Sequence, residues 1–276
     1  MFIGIGGNRV FYRKSGSGEP TIFLHGFPTS SYDWRKVIPQ LSKIGSVIAP
    51  DLYGFGYSDL PKGEYPAAAK LFRFLHEFVS ALQIESFKLV AYDWGGIVAV
   101  RYAVEHPAYV SKMVLMNTTV YPDWVEHFRT SPAYSQVRRM AHSGFYRLMA
   151  RSLIGKKQVK HLIAPRPETV MSDDELNQYV FFVKQAIGNM SELYSEDSIK
   201  MVEETTLQVT SKLKELEIPT LLLWGQDDIF VPPEHGRHFN EDLKRSKLVV
   251  LEDTGHFIVE ERPQQVADAI SGFLAQ

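Results

Sequence analysis

The 276-residue chain contains no cysteine. Disulfides, thiolate metal sites and a cysteine nucleophile are thereby excluded. It also lacks any apolar run approaching the ~18 residues of a membrane span. The N-terminus, M-F-I-G-I-G-G-N-R-V, has neither the basic start nor the long apolar core of a secretory signal, so a cytoplasmic location is expected. There is no excess of one charge either: 30 Lys+Arg against 32 Asp+Glu leave a formal charge of -2, which argues against nucleic acid as the partner. What remains is an ordinary globular composition, 45% hydrophobic and 22% charged. It suits one large α/β domain, or a core carrying an inserted subdomain. No cofactor and no metal is expected.

The most informative stretch runs from Phe87 to Pro107. An apolar run (Phe87, Leu89, Val90) reads as a buried strand. A helical run from Ile97 to His106 follows and is stopped by Pro107. Between them, Ala91-Tyr92-Asp93-Trp94-Gly95-Gly96 has the small-x-nucleophile-x-small pattern of a sharp strand-to-helix elbow, with Asp93 at its tip. A carboxylate there is poorly suited to attacking a carbonyl, because an anhydride would result. It is well suited to displacing a leaving group from an sp3 carbon, which turns the carboxylate into an ester that water can cleave. The alternative is structural: Asp93 as a plain helix N-cap.

Along the chain, Phe2–Ile5 and Val10–Tyr12 flank a Gly-Gly-Asn turn and read as a hairpin. Pro20–Leu24 is a strand running into His25-Gly26-Phe27-Pro28. A helix is expected from Asp33 to Ser42, a strand at Ser46–Ala49, and a helix from Pro66 to Leu82 with apolar residues close to 3.6 periodicity. The strand Met113–Met116 follows the elbow. Alternation then stops: from Thr118 to Leu216 only helical stretches appear, clearest at Tyr179–Ile187 and Ser198–Leu207. It resumes with the strand Ile218–Trp224, the loop Gly225-Gln-Asp227-Asp228-Ile-Phe-Val-Pro232, the strand Leu248–Leu251, the segment Asp253-Thr-Gly255-His256-Phe257, and a helix from about Pro263. Alternating strands and helices predict a mostly parallel, doubly wound sheet. The expected division is a core of residues 1–117 and 217–276 with a helical cap, 118–216, inserted over the elbow.

Four segments, H-G-F-P, Y-D-W-G-G, G-Q-D-D-I-F-V-P and D-T-G-H-F, together resemble the α/β-hydrolase superfamily, and the aspartate at the elbow resembles its Asp-nucleophile branch. That resemblance implies Asp93 as nucleophile, His256 as the base that activates water, and Asp228 rather than Asp227 as the acid orienting His256. It also implies an oxyanion hole made by the backbone N–H groups of Phe27 and Trp94. The branch consists mainly of epoxide hydrolases and haloalkane and fluoroacetate dehalogenases, so the implied partner is a small organic substrate. An epoxide leaves as an alkoxide and needs a proton, typically from two cap tyrosines. A halide needs N–H donors, typically from Trp94 and a second Trp, Asn or Gln.

Phe27 stands where many dehalogenases carry Asn, Glu or Gln, and the motifs look more like epoxide hydrolases, although Tyr92 stands where those usually carry His. Tyr179 is the expected first cap tyrosine, Tyr146 the second, and Trp124 a candidate halide donor. A ligand-binding protein without turnover is the non-enzymatic alternative. The cap is also divided in charge. His127 to Pro167 holds nine Lys or Arg and no acid, whereas Glu168 to Glu204 holds nine acids and two lysines. The favoured reading is two halves lying against each other; the other is a basic surface for an anionic substrate or lipid.

Overall fold

The computed structural model describes residues 1–63 and 65–276. The hairpin expected at the N-terminus is present. Strands β1 (Phe2–Ile5) and β2 (Asn8–Ser15) pair antiparallel, and both Gly6 (φ 54°) and Gly7 (φ 81°) adopt the positive φ that a tight two-residue turn demands. β2 then pairs antiparallel with β4 (Ser46–Pro50). The other strands, β3 (Pro20–Leu24), β5 (Phe87–Tyr92), β6 (Val110–Met116), β7 (Thr220–Gly225) and β8 (Ser246–Leu251), are all parallel to β4. The sheet order is β1-β2-β4-β3-β5-β6-β7-β8.

This order contains a reversal. From β3 the chain steps outward to β4 and then crosses back to lay β5 on the opposite side of β3. The carboxyl ends of β3 and β5 therefore open a crevice at a topological switch point, where ligands bind in open α/β sheets. His25-Gly26-Phe27 leaves the end of β3, and Asp93 leaves the end of β5. Nearly all of β5 is buried, which is why its sequence is a continuous apolar run rather than an alternating one.

The helix expected at Asp33–Ser42 takes another form: a 3₁₀ turn at Ser31–Lys36 followed by the single turn of α1 (Ile38–Leu41). Pro39, with no N–H to donate, sits in that first turn and fits a helix start better than a helix interior. α2 (Ala67–Ala81) buries Leu71, Phe72, Leu75, Phe78 and Val79 as its periodicity indicates. α3 (Trp94–Glu105) starts directly after Asp93, three residues before the apolar run suggests, because Gly95 and Gly96 carry no side chain to reveal a helix.

Among the described residues no strand falls between β6 and β7. The insertion consists of α4 (Asp123–Thr130), α5 (Ser135–His142), α6 (Gly144–Leu153), α7 (Lys156–Ile163), α8 (Asp173–Leu193) and α9 (Glu196–Thr210). α8 is longer than the apolar pattern suggests and opens with a capping box between Ser172 and Glu175. α5, α6 and α7 pack against α8, while α9 lies on α2 and α3. The chain ends with α10 (Pro233–Asp242), α11 (Ile258–Glu261) and α12 (Pro263–Leu274). Because α5, α6 and α7 pack on α8, the two charge halves of the insertion lie against each other, yet few ion pairs among the described residues cross between them. Arg129–Glu203 and Lys156–Asp173 join them, whereas Arg166 pairs with the core acids Asp227 and Glu261. No helix among the described residues is long and apolar enough to cross a membrane, and no group of three or more His, Asp or Glu there could hold a metal.

Two glycines make opposite predictions. A Cβ at Gly95 would lie 2.6 Å from the carbonyl oxygens of His25 and Leu24, so Gly95→Ala forces α3 away from β3 and should cost about 1–3 kcal/mol. A Cβ at Gly272, in α12, meets nothing, so Gly272→Ala should stabilise by about 0.5–1 kcal/mol through helix propensity. Urea melts of both variants measure the contrast.

Candidate active site

Asp93 occupies the N-cap position of α3, yet its side chain makes no capping hydrogen bond. Its backbone is held at φ 51° and ψ -122°, a conformation rare for any residue but glycine. The strain is held by packing on both sides. A Cβ at Gly95 would strike the β3 backbone, and one at Gly26 would lie 2.5 Å from Asp93 Cβ. The Thr118 hydroxyl donates to the Asp93 carbonyl at 2.7 Å and fixes the turn from below. The side chain consequently projects into the crevice, where the Phe27 N–H donates to Asp93 Oδ1 at 2.7 Å. The Trp94 N–H makes no bond to the carboxylate. The loop carrying Phe27 is itself anchored by His25. Leu52 N–H donates to its Nε2 at 2.9 Å, which leaves Nδ1 to donate to Gly26 O at 2.8 Å. Burial lowers the His25 pKa and favours that neutral form.

His256 Nε2 lies 3.4 Å from Asp93 Oδ2, and His256 Nδ1 lies 2.7 Å from Asp228 Oδ2. Asp228 is buried. Its Oδ1 accepts the backbone N–H groups of Phe230 and Val231, and its Oδ2 accepts from Asn117 Nδ2 at 2.6 Å. Asp227 is exposed and paired with Arg166 at 2.5 Å, pointing away from the histidine. Asn117, to which none of the quoted sequence motifs assigns a role, belongs to the site as well. Its amide also donates to Gly255 O and accepts Gly225 N–H, tying the three loops after β6, β7 and β8 together. The sequence signal is a polar residue directly after the apolar run Met113–Met116, and the structure holds it at φ 42°.

Burial opposes charge on His256. Asp228, and then Asp93, outweigh that penalty and push its pKa up to about 10. That balance favours an imidazolium between the two carboxylates.

The insertion closes over this group. The space left at the Asp93 carboxylate is about 10 Å³, roughly one water, and is bounded by Trp94, Ile97, Thr118, Thr119, Trp124 and Val231. Trp124 thus borders this space, with its indole N–H donated to Tyr134. Tyr179 does not. Its hydroxyl is bonded to Asp33 at 3.0 Å and to Glu260 at 2.5 Å, and it accepts from Arg35, in a buried cluster where burial pushes the Asp33 pKa up to about 8. Tyr146 is half-buried on α6 and packs under the Arg139 guanidinium.

The tyrosines at the site are Tyr194 and Tyr134. Tyr194 accepts the Trp94 indole N–H at 3.1 Å, and Tyr134 accepts that of Trp124 at 3.1 Å. Burial, followed by the nearby Asp93 charge, raises the pKa of both. Tyr179 and Tyr194 lie 15 residues apart along α8, on the order of 22 Å. Only one of them can reach the crevice, and helical phase alone does not say which.

A model of the α/β-hydrolase fold matches residues 19–263, most of the chain. The chain belongs to the α/β-hydrolase family. It is 29% identical to a haloalkane dehalogenase of Mesorhizobium japonicum over 96% of this chain and 87% of that protein. It is 28% identical to a soluble epoxide hydrolase of a Corynebacterium species over 98% of this chain and 95% of the relative. Among solved structures, the haloalkane dehalogenase DbeA from Bradyrhizobium elkani superposes with a TM-score of 0.85 at 26% identity, over 100% of this chain and 97% of the other. This α/β-hydrolase is therefore a hydrolytic enzyme, with relatives named haloalkane dehalogenase and soluble epoxide hydrolase.

The imidazolium makes a prediction about pH. An unfolded histidine releases its proton near 6.5, whereas His256 holds it to about 10. Its charge therefore stabilises the fold fully below about pH 6.5, and that contribution is lost as pH rises toward 10. Ring NMR should show His256 doubly protonated at about pH 8 and titrating well above an ordinary histidine. Asp93→Ala should move that titration down. A neutral His256 ring at about pH 7 would contradict the arrangement.

Proposed function

We propose that this α/β-hydrolase opens epoxides through an alkyl-enzyme ester on Asp93. The carboxylate attacks an epoxide carbon, the carbon–oxygen bond breaks, and the oxygen takes a proton from a cap hydroxyl. We assign that proton to Tyr194. Its oxygen accepts from Trp94, while its own proton has no acceptor among the described residues. Tyr134, by contrast, spends its proton on Phe230 O at 3.0 Å. This uncommitted Tyr194 proton is the observation that carries the reading, because an alkoxide needs a proton and a halide does not.

Esterification removes the Asp93 charge, one of the two anions that raise the His256 pKa. The imidazolium then gives up its proton, which returns to the Tyr194 phenolate, and the neutral ring takes a proton from water. The resulting hydroxide attacks the Asp93 carbonyl carbon. The oxyanion is stabilised by the Phe27 and Trp94 N–H groups, and collapse restores the carboxylate and releases a diol. Asp228 holds the His256 tautomer throughout. Epoxide and water go in, a diol comes out, and every enzyme group ends as it began. The insertion serves as a cap, and with about 10 Å³ free at Asp93 it must open to admit substrate.

A second reading has its own support. Two indoles, Trp94 and Trp124, border the same space, as halide stabilisation would require, and relatives named haloalkane dehalogenase align over nearly the whole chain. Both indole N–H groups, however, already donate to tyrosine oxygens.

One variant separates the two. His256→Gln should still be alkylated but should fail to hydrolyse the ester, so intact-mass measurement should show a lasting adduct. With an epoxide the gain is the whole substrate mass; with a bromoalkane it is the substrate less hydrogen bromide. Adding Tyr194→Phe should slow epoxide alkylation by about 10²–10⁴ and leave bromoalkane alkylation unchanged. An adduct from the bromoalkane alone would settle on dehalogenation, and no adduct from either would remove Asp93 as nucleophile.

A further inference from the structure

α6 is inverted relative to the usual pattern of a surface helix. Its outward residues are the large apolar ones: Phe145 is 74% exposed, Leu148 68% and Leu153 69%, with Met149 beside them. At 100° per residue these four span one continuous stripe, and the face turned to the protein carries Tyr146 and Ala150 instead. A contiguous apolar stripe of this kind on a folded surface marks an interaction site.

The segment that carries the stripe, His127 to Pro167, holds charge of one sign. Of the cations between His127 and Pro167, Arg129, Lys156 and Arg166 have acidic partners. Arg138 and Arg147 donate to backbone carbonyls within the cap. Arg151, Lys157 and Lys160 are exposed and have no acidic partner among the described residues. Lys157, Lys160 and His161 form the outer face of α7, opposite the buried Val159 and Ile163. α7 follows α6 after only Ile154 and Gly155, and both pack on α8, so the cations that open α7 adjoin the Leu153 end of the stripe.

We propose that this side of the cap docks on an anionic lipid surface, with the α6 side chains in the interface and the α7 cations against the headgroups. An exposed apolar stripe with unpaired cations adjoining it is the chemistry of an interfacial membrane helix. A second copy of the chain fits less well, because a two-fold contact through this face would set like charges against like. The proposal is independent of the leaving group assigned above.

The test is sedimentation of the full chain with vesicles. Pelleting is expected with phosphatidylcholine vesicles containing about one third phosphatidylglycerol, and not with phosphatidylcholine alone. Leu148→Asp with Leu153→Asp, and separately Lys157→Glu with Lys160→Glu, should each lower the partition coefficient at least about tenfold while thermal melts stay at the parent value. All four positions are exposed, so folding is not at risk. The proposal is overturned if the parent fails to pellet with the anionic vesicles, pellets equally with both compositions, or is unaffected by the substitutions. It is also overturned if the lipid-free chain sediments as a dimer that Leu148→Asp dissolves, which would assign the face to a second copy.

Discussion

A non-glycine residue at φ 51° and ψ -122° is costly, on the order of 1–3 kcal/mol, and it persists only where its surroundings leave no alternative. At Asp93 that constraint comes from the close approach of α3 to β3, which Gly95 permits, from the Thr118 bond to the Asp93 carbonyl, and from Gly26 lying against the carboxylate. The rest of the site is arranged around the direction in which this turn points its side chain. The Phe27 amide reaches Oδ1 from the end of β3, and His256 reaches Oδ2 from the loop after β8. Both come from loops at the carboxyl edge of one parallel sheet, so the rigidity of the sheet becomes the precision of the site.

The electrostatics follow from that geometry. Two carboxylates and one imidazole occupy a buried space where an unpaired charge would be expensive. A protonated His256 between Asp93 and Asp228 offsets that cost, and four donors on Asp228, from Asn117, His256, Phe230 and Val231, hold the second carboxylate in place. The arrangement is responsive, because any change in the charge of Asp93 is felt at His256. The buried Tyr92 hydroxyl has no hydrogen-bond partner among the described residues, and its ring packs against that of His256.

Closure of the cap over this group uses ion pairs at both ends. Arg166 of the cap binds Asp227, the neighbour of Asp228, and Glu261, whose carboxylate also accepts the Gly255 N–H beside His256. Arg35 of the core binds Glu175 on α8 as well as Glu260 on α11. The exposed half of the first pair is screened by solvent, so its contribution is small, and a cap held partly by such contacts can open.

The elbow, the three loops and their order along the chain were readable in the sequence because each is a local pattern: a strand that ends in residues serving a tight turn. Asp93, Asp228 and His256 sit at those ends, and the parallel sheet brings strand ends together. The start of α3 was hidden because glycines that allow close packing carry no hydrophobic period. The cap was legible as helices but not as a surface. Tyr179 and Tyr194 lie on one helix about 22 Å apart, and which of them faces Asp93 depends on how α8 crosses the core, a matter of packing that no local pattern records. Likewise the sequence set out the cations of the cap, and only the tertiary structure decided that few of them pair with the acids that follow. By itself the sequence determined which chemistry the ends of the strands can carry. The fold determined which side chains reach it, because contacts between distant segments depend on helix placement rather than on spacing along the chain.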